Sequence, residues 1–557
     1  MRRFLLIGCL VIGALLLGCA LLVPGHFRAV DAAVVEGAGK GLLGPPSPSL
    51  VEEGVTFLSV EKIGPARMLL LTAQSEGVSH YDVLSAGVQK FARDNPSLVA
   101  WGGADPLLET MKLDNNTAAA PRPLVELLTR RGTREKTLQF LQQSRRPGVK
   151  QILQNRSLTN TVHFPASSTS SGQAIDAAII TAALLYQGDY FTPQFRDTFE
   201  WLAMRANKGD NSSSLELVYL DLLSLGRRLD WVSLTEFVKR IDNLTTLRDL
   251  AETMRTRDDA TANIFTAVSF TANASAVAKY LKRYPETGLN DLNFALRHGR
   301  NAVEVLVKRQ QRIHYGGFRK KIIEYNPFGA WFYAVVPTAL ASQVGAVVLK
   351  YLLLFLAALC IARVIGSITA PLGHRFGMRF AADLVFALAI TFVIGVALEP
   401  FLGFAEQANP FPVQFQLPSI AALTGFKAQP VTQSLMNQLS IVSLVSFFAI
   451  QALIYVWCLT KLAEIRRQPL EPRLKLRLLE NEDHLFDAGL YVGFVGSVIS
   501  LILMSMNIGK ISMMAYASTS FGIIFVSVLK IFHVRPLRRK LILESEAQAP
   551  TQFQTQS

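Results

Sequence analysis

The sequence predicts a mainly α protein. It reads as a polytopic helical membrane protein with one large helical extracytoplasmic domain, built as an irregular bundle or a solenoid-like array. Three observations predict this. Half of the 557 residues are hydrophobic and 18% are charged, against about a quarter charged in a soluble chain; the apolar residues crowd the N-terminus and the last third. Lys and Arg collect in alternate loops between the apolar runs. From residue 63 to 329, apolar residues recur at helical spacing, with Gly and Pro as stops.

The chain begins MRRFLLIGCLVIGALLLGCALLV, two arginines followed by about twenty apolar residues, enough to span a hydrocarbon core. Residues 1–23 are therefore expected to be an uncleaved membrane anchor. The competing reading is a signal peptide cut after Ala20, with Gly18 and Ala20 as the small residues; a lipobox at Cys19 is weaker because the apolar run continues past it. Either version exports the next part of the chain.

Residues 24–62 read as a linker leading into the domain, because GAGKGLLGPPSPS is rich in Gly, Pro and Ser. Residues 63–329 read as the helical domain. DVLSAGVQKFARDNP has Asp82 as an N-cap and Asn95–Pro96 as a stop, and LVELLTRRGTREKTLQFLQQ is a helical pattern broken at Gly132. SSLELVYLDLLSLGRRLDWVSLTEFVKRI reads as two helices joined near Gly226–Asp230, with a capping box at Ser233 and Glu236. Short helices closed by Gly or Pro continue to residue 313, with no fixed repeat period. The strand candidates are GVTFLSVEKI and NTVHFPASS.

Residues 330–540 read as a five-helix transmembrane domain and 541–557 as a disordered cytoplasmic tail. The run from Ala330 to Val364 is expected to start at the interface with Trp331, Phe332 and Tyr333, to kink at Pro337, and to span from about Ala341 to Arg363. Lys350 is expected to snorkel toward the outer interface. Further spans are expected near Phe380–Phe401, Gln438–Thr460, Phe486–Met506 and Ile511–Phe532. Arg363, Arg375 and Arg379 then flank the first inter-helix loop. Lys461, Arg466, Arg467, Arg473, Lys475 and Arg477 fill the third, and Arg535, Arg538, Arg539 and Lys540 follow the last span. The alternate loops carry Lys427 and Lys510. Six spans with both termini cytoplasmic put every basic loop on one side and place residues 24–330 outside. The expected location is a bacterial inner membrane.

Formal net charge is +14. A basic balance suits nucleic acid or anionic lipid, but much of the excess flanks apolar runs, so a nucleic-acid partner is not expected. The basic cluster RQQRIHYGGFRKKIIEY, Arg309 to Tyr325, reads as a solvated face near headgroups. Cys9, Cys19, Cys360 and Cys458 all lie in apolar segments, so no disulfide framework and no Cys/His metal site is expected.

GxxxxGK[ST], GxSxG, HExxH and EF-hand patterns are missing. No catalytic residue, cofactor or metal is expected. His298 and His314 read as surface or capping residues, Asp258–Asp259 as a helix start, and Glu200, Glu216 and Asp221 as helix-face acids. The ionisable residues within spans are the better candidates: Lys350, with Asp383 and Asp487 near cytoplasmic ends and Glu399 near an outer end.

The last two spans carry small residues on one face: Gly489, Gly493, Gly496, Ser497 and Ser500, then Ala515, Ser518, Thr519 and Gly522. A turn of a few residues makes these helices antiparallel neighbours, and small faces permit close backbone approach with hydroxyl bonds across the gap. The same face would serve as a pore lining in a homo-oligomer. GFVGSVISL followed by ASTSFGIIF resembles the pore helices of the proton-channel family that contains MotA, TolQ and ExbB. The resemblance covers under a tenth of the chain. It implies matching hydroxyl positions at Ser497 and Thr519; the spacing here is shorter than in that family.

The leading functional expectation is an envelope scaffold or binding component that uses its exported helical domain, with the lipid bilayer and envelope proteins as partners. The alternatives are a channel or energy-coupling subunit built on the last helix pair, and a membrane enzyme at the outer interface near Glu399 and NPFPVQFQLPS.

Overall fold

The computed structural model describes residues 2–42, 44–45, 47–113, 117–158, 170–210, 212–316, 328–369, 433–505 and 515–547, together with 383, 384, 386–388, 390, 391, 394, 395 and 398–401. These residues are mainly helical. The chain divides into two compact units. A terminal unit combines Met1–Arg28 with Gly317–Ser557, and an inserted unit comprises Ala29–Gly316.

The inserted unit begins in the stretch read as linker. Ala29–Asp31 is a strand (β1) that pairs in parallel with Arg312–His314 (β2), joining the two ends of the unit. Asp291 stabilises that junction: its carboxylate accepts from the Ile313 N–H at 3.1 Å, the Tyr280 hydroxyl at 3.0 Å and the Tyr315 hydroxyl at 2.9 Å. The strand candidate GVTFLSVEKI is not a strand. GVTFLSVEKI lies mostly in the helix Leu50–Ser59, which a Ser49–Glu52 capping box starts; NTVHFPASS lies outside the described residues.

Helix Ser213–Gly226 and helix Trp231–Val238 meet at the expected turn. The cap, however, is Asp230 rather than Ser233. Its Oδ1 accepts from the Ser233 N–H and its Oδ2 from the Ser233 hydroxyl, both at 2.8 Å. Asp82 likewise sits in the first turn of Tyr81–Asp94 and not at its cap, which is His80. The break expected at Gly132 falls at Arg130, where Leu124–Thr129 gives way to Arg131–Gln142. Trp231–Val238 is buried on every side, as only a helix surrounded by other helices can be. Phe195, Phe199, Phe237, Phe265 and Tyr219 fill the space around it and its neighbours.

Asp230 shows what this packing costs. A Cβ at Gly102, whose φ is +89°, or at Gly64 would overlap its carboxylate, so the backbone closes directly onto the acid. Burial pushes its carboxyl up from 3.8 to about 6, against the opposing pull of the Ser233 hydrogen bonds. The folded chain thus holds this proton more tightly than the unfolded chain. The associated stability is complete below the unfolded value and is lost as pH rises through about 6. Asp230→Asn is expected to remove a pH-dependent contribution on the order of 3 kcal/mol across that window, read as a flattening of the stability curve of the full chain between about pH 4 and about pH 6. Glu236 does the opposite. Burial works against its charge, but hydrogen bonds from Lys62 and Lys239 prevail and draw it down to about 2; its stabilisation is present above the ordinary carboxylate value and is lost as pH falls through about 2.

In the terminal unit, helix Arg2–Leu22 runs antiparallel along helix Gln343–Thr369. A Cβ at Gly13 would sit 3.1 Å from Cys360 Cβ, while Gly25, beyond the helix end, abuts Ala346. The preceding helix, Phe328–Ala341, contains Pro337 without ending there. The break comes at Ser342, whose hydroxyl accepts from the Gly345 N–H at 3.0 Å and so caps the next helix. Helix Gln433–Arg467 extends beyond the expected span at both ends. Helices Ala488–Ser505 and Ala515–Leu529 come next, the latter running through a π-helical turn, Lys530–Val534, into Arg535–Ala547. Among the described residues, two helical stretches, Gln343–Ile365 and Ser518–Glu546, are long and apolar enough to cross a membrane. Residues 370–382 and 402–432 lie outside the described residues.

Candidate functional site

Two constellations in the terminal unit bring together side chains that the sequence singled out. The first is built on Lys350, two turns into the Gln343 helix. Its side chain ends on protein and not at a water-facing surface: Lys350 is 1% exposed. The close approach of Gly25 makes this possible. A Cβ there would lie 2.7 Å from the Ala346 carbonyl carbon and 2.8 Å from the Val347 nitrogen, so only glycine lets this strand of backbone lie flat on the helix. The Gly25 carbonyl then accepts from Lys350 Nζ at 3.0 Å.

His26 comes immediately after, with Nδ1 3.1 Å from Lys350 Nζ. An ammonium has only donors, so a charged Lys350 keeps this contact only where Nδ1 accepts and the ring proton sits on Nε2. Glu399 Oε1 lies 3.9 Å from both Lys350 Nζ and His26 Nδ1. Its Oε2 accepts from the Phe27 N–H at 3.0 Å. Tyr351 directs its hydroxyl toward Glu399 Oε1 at 3.5 Å, and its ring lies 5.4 Å from that of Phe27. The Gln343 amide donates to the His26 carbonyl at 2.8 Å. The side chains of Lys350, Glu399 and His26 therefore close on one another, with His26 and Glu399 at 1% and 2% exposure. Opposite charges in such a site remain stable only when paired and hydrogen-bonded.

The second constellation joins helices Gln433–Arg467, Ala488–Ser505 and Ala515–Leu529. A Cβ at Gly522 would lie 2.6 Å from the Gly489 carbonyl oxygen, and one at Gly493 2.8 Å from that of Ser518. A Cβ at Gly496 would overlap the Ser518 hydroxyl. The two backbones are thus in contact over about two turns. Ser497 and Thr519 hydroxyls bond to each other at 2.5 Å, and Thr519 also reaches the Gly493 carbonyl at 3.3 Å. Gln451 wedges in from the third helix, donating to the Gly489 carbonyl at 2.9 Å. Gln451 Oε1 and Ser518 Oγ are buried without a partner. Ser500 and Ala515 lie in these helices, with side chains outside the described set.

The remaining charges are paired. Asp383 accepts from Arg363 at 2.8 Å, and Asp487 from Lys530 at 2.8 Å with Asp483 at 3.5 Å from the same nitrogen. His298 packs on the ring of Phe294, and His314 lies in β2. Among the described residues no three His, Cys, Asp or Glu side chains converge to hold a metal ion. NPFPVQFQLPS lies outside those residues, as does most of the basic cluster before Tyr325.

Sequence reasoning named Lys350 and Glu399 separately and missed His26, Tyr351 and Gln451. Gln451 left a signal, a lone amide inside an apolar run, where an amide needs an interhelical partner. His26 left none, because it comes after the apolar segment as an ordinary polar residue. No family model, curated protein or solved structure matches this chain.

Proposed function

We propose that this chain is a multi-pass protein of a bacterial inner membrane, with both termini cytoplasmic, whose inserted unit acts on the far side as a scaffold or binding platform for envelope proteins. The observation that carries this reading is the antiparallel pairing of helix Arg2–Leu22 with helix Gln343–Thr369. Antiparallel neighbours return the chain to the side it left, and the whole inserted unit lies between them in sequence. The basic loops then fall on one side, as topology requires. An array of helices around fully buried ones displays a broad surface of fixed shape.

A reporter fused near residue 200 is expected to be active only when exported; activity in the cytoplasm would overturn the topology. Photocrosslinking residues placed at exposed Val83 and Trp201 are expected to trap specific envelope proteins in intact cells. Equal trapping from Phe494 or Tyr333, exposed in the terminal unit, would move the binding role away from the inserted unit. The Ser497–Thr519 bond supports close packing as the role of the last helix pair. Replacing both by Ala is expected to lower stability by about 1 kcal/mol while leaving the trapped partners unchanged.

A further inference from the structure

We propose that the surface built by residues 130–156 of the inserted unit docks an acidic polypeptide segment. The proposal rests on the scaffold reading and names the chemistry of the partner. Residues 130–156 carry eight Lys and Arg against one Glu; the rest of the inserted unit carries 25 Lys and Arg against 29 Asp and Glu. The unit is therefore net acidic outside this stretch, and its excess of cations lies within it. Four of the eight are paired: Arg130 with Glu126, Arg131 with Glu135, Arg146 with Asp189 and Arg156 with Asp176. Arg134, Lys136, Arg145 and Lys150 have no ion pair among the described residues, and the last three are exposed.

The cations stand on a fixed base. Helices Arg131–Gln142 and Pro147–Gln154 pack on each other and on helix Ser170–Gln187. The turn between them is fastened to the end of that third helix. The Ser144 hydroxyl donates to Gln187 Oε1 at 2.6 Å, and Arg146 Nη1 donates to the Tyr186 carbonyl at 3.3 Å and to Asp189 at 2.5 Å. Neither of the first two helices has an acidic residue in its first turn or a side-chain cap, so their N-terminal partial charges add to the same sign. Like charges held together repel and destabilise the fold; an anionic partner relieves that repulsion.

What lies between the cations selects the partner. Anchoring on lipid pairs cations with apolar side chains that enter the bilayer, and residues 130–156 expose no large hydrophobic side chain. Single-stranded nucleic acid stacks on aromatic side chains, and the one aromatic here, Phe140, is half-buried. Amides fill the intervals instead: Gln139, Gln142, Gln143 and Gln154 are exposed. Ammonium, guanidinium and amide groups together match the carboxylates and peptide groups of an acidic chain. Helix Arg131–Gln142 runs for about 18 Å, room for about five residues of extended chain.

The test uses the full chain in nanodiscs of zwitterionic lipid, with fluorescein-labelled decaglutamate as the probe. Wild type is expected to bind it saturably, and raising salt from about 0.05 M to about 0.5 M is expected to weaken binding roughly ten-fold. Lys136→Gln, Arg145→Gln and Lys150→Gln together are expected to weaken it about ten-fold or more at low salt. The unfolding midpoint of that variant is expected to be no lower than that of wild type, because repulsion has been removed. Lys90→Gln, Lys279→Gln and Lys308→Gln remove the same charge from other exposed positions of the unit and are expected to leave binding unchanged. Equal binding by wild type and the first variant, or equal losses in the two variants, would overturn the docking surface. Tighter binding of soluble polyphosphate, or of vesicles containing phosphatidylglycerol, would overturn the acidic polypeptide as its partner. Failure of the scaffold reading is distinct: no protein trapped from Val83 or Trp201, with decaglutamate still bound here, would sink that reading and leave this surface standing.

Discussion

Replacing Lys350 by Met is expected to destabilise the folded chain by about 3–5 kcal/mol, the cost of leaving one buried charge without its partner. The carboxylate left behind is Glu399, 2% exposed and held by the Phe27 N–H at 3.0 Å. Glu399→Gln strands the ammonium instead and is expected to cost a similar amount. The pair Lys350→Met with Glu399→Gln removes both charges together and is expected to recover most of the loss, because a neutral pair of similar volume carries no desolvation penalty. Thermal unfolding of the full chain in detergent, arranged as a double-mutant cycle, measures this. Single substitutions costing under about 1 kcal/mol, or strictly additive effects, would show that the two groups do not act as a buried pair.

Gly522→Ala is expected to have the largest effect of any single methyl group in the last helix pair, about 3 kcal/mol or more. The added carbon would sit 2.6 Å from the Gly489 carbonyl oxygen. No rotamer relieves a clash with backbone, so the helices must separate. Separation also stretches the Gln451 bond to that carbonyl and the Ser497–Thr519 bond. Gly493→Ala meets the Ser518 carbonyl at 2.8 Å and is expected to come close behind. Gly489→Ala meets first the Val526 methyl at 2.9 Å, the end of a side chain that can shift, and is expected to cost about 1 kcal/mol. Unfolding midpoints of the three variants test the order; a Gly489 variant worse than Gly522 would contradict the close-packing account.

Much of the terminal unit was legible because its signals are local. Apolar runs of spanning length marked the helices from Gln343 onward, and glycines three and four apart marked the face on which Ala488–Ser505 meets Ala515–Leu529. The inserted unit was legible in its helices but less so at their ends. Asp230 and Ser233 are both good capping residues, three positions apart. Sequence pattern cannot rank them, because the choice depends on Gly64 and Gly102 bringing the chain against Asp230. β1 and β2 escaped notice for a related reason: each is three residues long and exists only because the other lies beside it.

The helical class, the course of the apolar helices among the described residues, and the small-residue seam between the last two were legible along the chain. Those properties arise from periodicity and composition within a single segment. Packing alone brought Lys350 onto Gly25 and His26, more than 300 positions away, closed the same site with Glu399, and filled the seam with Gln451 from a third helix. A charge in an apolar helix advertises that it needs a partner. Which partner it finds is set by how distant segments pack, because the energy of the pair exists only once both groups have left water together.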